Sequence, residues 1–122
     1  MLLAEGTFEG RGGHALKGEF VVEQVGDRQR FTTSEDFYFD GSPAPGFALS
    51  ATGNVSAEEA IETDFLRLPG TGSTAGPQLE VPGRQMALLP KTIDIVQIKY
   101  VFLWCYRFPS LLGVARLDIV DH

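Results

Sequence analysis

Tyr100-Val101-Phe102-Leu103-Trp104-Cys105-Tyr106-Arg107-Phe108 is the most strand-like run in the chain. It is dense in aromatic and apolar side chains, which suit a pleated and packed surface. No Gly or Pro interrupts the sequence from Lys91 until Pro109 closes it. Side chains alternate across a strand, so Phe102, Trp104, Tyr106 and Phe108 share one face and Val101, Leu103, Cys105 and Arg107 the other. The aromatic row reads as packing, since such rings carry large buried area. This is a central strand, and it sets the reading of the rest.

Outward from it, the chain is a series of short strands cut by turn residues. Gly113–Val120 alternates as a last strand after Pro109. Upstream, Ala15–Gln24 alternates Leu16, Gly18, Phe20 and Val22 against Lys17, Glu19, Val21 and Glu23. Val25-Gly26-Asp27-Arg28 turns it back into Gln29–Thr33 as a hairpin. Glu5–Glu9, Phe37–Phe39, Phe47–Ser50, Leu79–Val81 and Met86–Leu89 are further strand fragments. Ser56-Ala57-Glu58-Glu59 has the form of a capping box, which allows one short helix ending near Thr63 or a turn of a long loop. Leu66–Pro90 is rich in Gly and Pro and reads as irregular. Seven or eight short strands with almost no helical period predict an all-β domain. A β-sandwich is the first expectation and a small β-barrel the alternative.

The chain has 122 residues, the size of one ordinary domain. Its net charge of −6 is uneven, −8 over the first 64 residues and +2 over the rest. An acidic balance argues against nucleic acid as a partner. The acids read as solvated turns, or as a face that steers a cationic partner. The single cysteine, Cys105, closes no internal disulfide and supplies no zinc site by itself. Val96–Phe108 holds Gln97, Lys99 and Arg107 and is too short and too charged to cross a bilayer, so no membrane insertion by this chain is expected. Met1–Ala4 is too short for a leader's apolar core. That leaves a cytosolic protein, or one whose leader was removed or omitted.

The run Tyr100–Leu117 resembles the closing signature of the electron-transfer DM-thirteen domain: Trp104-Cys105, Phe108, then Gly113-x-Ala115-x-Leu117. The opening fits too, with Gly6-Thr7-Phe8, His14 and Gly18. Asp36-Phe37, Pro43–Ser50 and Gly76–Pro82 fit more loosely, the last without the family's Asp and Tyr. The resemblance implies a redox module, often secreted or membrane-tethered, which favours a periplasmic or extracellular location if a leader was removed. It also implies that Cys105 acts as a bare thiol or holds a prosthetic group such as haem.

Cys105 is therefore the candidate redox residue, and its plain reading is a buried small hydrophobe. Arg107, about 6–7 Å along the same strand face, would favour a thiolate. Trp104 flanks it. His14 is a candidate second ligand, since imidazole and thiolate suit haem iron or zinc; its plain reading is a polar turn residue. Gly70–Gly76 lacks the Lys-Ser/Thr of a phosphate loop. Glu58/Glu59 and Glu35/Asp36 read as solvated acids. Three functions follow from these features. The first is a redox or electron-transfer accessory domain centred on Cys105, working with a redox protein partner. The second is a binding module for a protein or glycan through Ser42–Gly46 and Leu66–Gly83, with the cysteine purely structural. The third is a plain structural domain. No base, nucleophile and orienting group can be named together, so no turnover enzyme is asserted.

Overall fold

The computed structural model describes residues 1–54, 60–68 and 79–121, with 79–81 described by backbone alone. The chain is all-β. Its strands are β1 (Leu2–Gly10), β2 (Leu16–Lys17), β3 (Glu19–Val25), β4 (Arg28–Thr33), β5 (Tyr38–Ser42), β6 (Pro45–Ser50), β7 (Ala60–Arg67), β8 (Leu79–Pro82), β9 (Met86–Leu88), β10 (Tyr100–Cys105), β11 (Ser110–Arg116) and β12 (Asp118–Ile119). Among the described residues one 3₁₀ turn, Ile95–Gln97, is N-capped by Asp94, whose carboxylate accepts from the Val96 amide. The expected capping box at Ser56–Glu59 lies outside the described residues. Ala60–Thr63, where that helix would have ended, belong to β7.

Nine strands form one sheet in the order β7-β6-β10-β11-β1-β3-β4-β9, with β12 paired to β1. The sheet curls until its edge strands β7 and β9 approach each other without forming a ladder. The architecture is thus a nearly closed barrel more than two separate sheets. All of its ladders are antiparallel, and two of them, β3–β4 and β10–β11, are hairpins closed by short turns. The hairpin β3–β4 falls where the sequence placed it, with Val25 paired to Arg28.

Phenylalanine fills the barrel. Phe8, Phe20, Phe31, Phe37, Phe47 and Phe65 touch ring to ring, with centroids from 5.0 Å (Phe31–Phe47) to 6.1 Å (Phe47–Phe65) apart. β10 is central as expected, between β6 and β11. Its core-facing side chains are the aliphatic row, Val101, Leu103 and Cys105. Phe102 and Trp104 are buried on the opposite face. The strand stops at Cys105, three residues earlier than the alternation suggested, and Tyr106–Pro109 form a turn.

A second sheet, β2-β5-β8, stands on one end of the barrel. Leu16 packs against the core there, and Phe39 is fully enclosed in it. The contact is close at Gly113, where a Cβ would lie 2.1 Å from Leu16 Cδ2 and would push that side chain aside. Among the described residues no helix is long and apolar enough to cross a membrane.

Candidate functional site

Cys105 ends β10 at the barrel end that carries the small sheet. It pairs with Pro45 of β6 and Ser110 of β11 and is 3% exposed. Its Sγ donates to the Pro43 carbonyl at 3.0 Å. The Phe108 amide donates to Sγ at 3.4 Å. The sulfur therefore lies between two covers, the β5–β6 link and the Tyr106–Pro109 turn.

The link is itself well held. The Ser42 hydroxyl donates to the same Pro43 carbonyl at 3.1 Å, and Ser42 and Ala44 are both buried. Ala44 sits at φ +50°, an uncommon conformation for a residue with a Cβ. It turns its carbonyl to accept from the Tyr106 amide at 3.0 Å. Ser42–Gly46, expected as an open binding loop, is thus packed against the end of β10. Most of Leu66–Gly83, the other expected loop, lies outside the described residues.

Trp104 and Arg107 diverge from Cys105. Trp104 is 6% exposed and faces away from the Phe core. Arg107 lies beyond the end of the strand, so alternation no longer places it beside the sulfur. It is exposed, with its guanidinium carbon 5.4 Å from the Phe108 ring centroid. Tyr106 folds back across β6. Its hydroxyl donates to Phe47 O at 3.3 Å, and Arg67 lies 5.0 Å over its ring. Burial first, and then the Asp64 carboxylate, push the Tyr106 phenol far above its ordinary range. Gly46 makes room for this, since a Cβ there would lie 2.8 Å from the Tyr106 ring.

His14 is held by a residue that no sequence motif singles out. Its Nδ1 lies 2.8 Å from Asp40 Oδ1. The other carboxylate oxygen accepts from the Ala15 amide at 2.9 Å. The imidazole rests on Phe39, with centroids 5.4 Å apart. Burial alone would raise the Asp40 carboxyl, but the Ala15 amide and the His14 ring outweigh it and hold the group below its ordinary value. Asp40 is 26 residues from His14 in sequence, so no local motif announces the pair.

A thiolate that binds haem needs an open side for the iron and an apolar cavity for the macrocycle. Here both faces of the Cys105 sulfur are taken by Pro43 and Phe108. Clefts of about 370 and 390 Å³ lie along β3 and β4 and are lined by other residues. Nor is His14 free to turn toward the sulfur, since Asp40 fixes its ring. The packing around Cys105 does not fit a prosthetic group. Among the described residues no group of three or more His, Cys, Asp or Glu is placed to hold a metal ion. What the arrangement offers chemically is one thiol, enclosed by two short backbone segments.

Comparison with known proteins agrees with the Trp104-Cys105 signature. No curated protein and no solved structure matches the chain. A family model described as Electron transfer DM13 matches residues 7–117, nearly the whole length. The chain belongs to the electron transfer DM13 family.

Proposed function

We propose that this chain is a redox accessory domain whose working atom is the Cys105 sulfur, acting as a bare thiol toward a redox protein partner. The observation that carries the reading is the site of that sulfur. It ends a central strand, and where it leaves the core its sulfur meets two short backbone segments outside the barrel ladders, which the proposed reaction requires to open while the barrel stays intact. The Phe108 amide covers one side from an exposed four-residue turn, and Pro43 covers the other from the link between β5 and β6.

The chain holds one cysteine, so the second sulfur of any exchange comes from the partner. The S–H proton leaves Cys105 and the sulfur attacks one sulfur of a partner disulfide. A new S–S bond forms as the old one breaks, and the departing partner sulfur takes up a proton. Cys105 is oxidised to a mixed disulfide, and the partner is reduced at its departing sulfur. A second partner thiol loses its proton and attacks the partner sulfur of the mixed disulfide; a partner disulfide forms as the bond to Cys105 breaks, and Cys105 takes up a proton and is a thiol again.

The test is reaction of the native protein with a small aromatic disulfide across sub-denaturing urea. One equivalent of coloured thiolate per chain is expected, and none from Cys105→Ser. The rate should fall well below that of a free cysteine peptide. Its urea dependence should be a small fraction of the slope for global unfolding, as local opening requires. A rate that tracks global unfolding with the full slope would sink the reading and leave Cys105 as core filler.

A further inference from the structure

The His14–Asp40 pair and the Cys105 cover lie on one short stretch of chain. Asp40 is near the end of β5, and Pro43, whose carbonyl accepts the thiol hydrogen, comes three residues later. The stretch between them is irregular. The β5–β8 ladder shifts register between Phe39 and Ser42, and Gly41 sits at φ +110°. Regular pairing with β8 therefore lapses where the link departs toward Cys105.

Asp40 supplies the missing anchorage. Its side chain accepts from the Ala15 amide and meets His14 Nδ1, and its own amide donates to Ala15 O at 3.0 Å. The turn it grips is fastened in its own right. The His14 amide donates to Arg11 O at 3.1 Å, and the Arg11 amide donates to Leu112 O of β11 at 2.9 Å. β11 is the hairpin partner of β10, the strand that Cys105 ends. A continuous set of bonds thus runs from β11 through Arg11, His14 and Asp40 to Ser42 and Pro43, and returns to β10 at the sulfur.

We propose that Asp40 and His14 are positioning residues for the thiol. Together they hold the β5–β6 link so that the Pro43 carbonyl stays over Cys105, and their release uncovers the sulfur. This deepens the reading of Cys105 as the redox atom and rests on it. Neither residue touches the reacting sulfur, so their effect is on how often it is uncovered.

The test measures the same disulfide reaction in Asp40→Ala, with His14→Gln as a second variant that keeps the bond from the Ala15 amide to Asp40. Val22→Ala, at the opposite end of the barrel, serves as the control for a simple loss of stability. In Asp40→Ala the rate without urea should rise on the order of tenfold or more, with the shallow urea slope retained. Val22→Ala should change the denaturation midpoint but not the rate without urea. Asp40→Asn, which keeps an acceptor for the Ala15 amide, should restore part of the protection.

Suppose the wild type reacts through local opening and both clamp variants react at the wild-type rate. The positioning role is then overturned while the thiol reading stands. Equal acceleration by Val22→Ala overturns it as well, since the clamp would act only through global stability. Reactivity that follows global unfolding in every variant overturns both readings.

Discussion

Asp40 shows how one side chain can matter more than its sequence context suggests. Nothing in Phe39-Asp40-Gly41 marks it, because the groups it binds, His14 and Ala15, are contributed by a distant turn. Its carboxyl is held below its ordinary value in the folded state. The stability it contributes is therefore fully present above the unfolded-state value of about 3.9 and is lost as the pH falls through the lower folded-state one. Asp40→Asn should be less stable than wild type near neutrality, and the gap should narrow toward pH 2. Urea midpoints measured from about pH 6 to about pH 2 check this. A gap that stays constant would mean that the carboxylate charge has no part in the clamp. Cys105 can be singled out as a candidate from the sequence for the opposite reason. It is the single cysteine, and its family signature is local. Arg107 was misplaced because alternation was carried past the point where the strand ends.

At the scale of elements, β10 is the central strand expected, and Phe102 and Trp104 of its aromatic row are buried as packing residues, while Tyr106 and Phe108 fall in the turn. The two buried rings pack on the face away from the phenylalanine core. In the barrel the interior is already filled by phenylalanines from β1, β3, β4, β6 and β7 and by Phe37. β10 contributes Val101, Leu103 and Cys105 to that core instead. Spacing alone cannot show this, because it depends on what the neighbouring strands bring to the same interior. The contact between β11 and β2 gives a sharp prediction. A Cβ at position 113 would meet Leu16 at 2.1 Å, so Gly113→Ala should cost about 1–3 kcal/mol by overpacking. Leu16→Ala in the same chain should recover part of that loss, and a double-mutant cycle of unfolding free energies would show the coupling. Purely additive losses would mean that the small sheet shifts aside.

For the whole molecule, short alternating segments and scattered Gly and Pro were enough to establish an all-β fold. The choice between a sandwich and a barrel was not legible, because it depends on where β7 and β9 come to lie, and that is set by the curl of nine strands and not by any one of them. The phenylalanine interior dominates the energetics. Phe47 is fully buried and touches Phe8, Phe31, Phe37 and Phe65. Phe47→Ala should destabilise the fold by about 3–5 kcal/mol, measured by urea unfolding. A loss below about 1 kcal/mol would show that the interior collapses to fill the space.

The strand order also has a consequence for how the chain is made. Among the described residues the ladders join β6 to β1 through β10 and β11, and those two strands are a contiguous hairpin late in the chain. A nascent chain leaving the ribosome up to residue 99 can assemble two sheet fragments, β6 with β7 and β1 with β3, β4 and β9. It has no strand with which to join them in one ladder, and only side chains such as Phe47 against Phe8 and Phe31 link the two. Closure waits for the segment that carries Cys105, so the sulfur takes up its place in the same late step that completes the barrel.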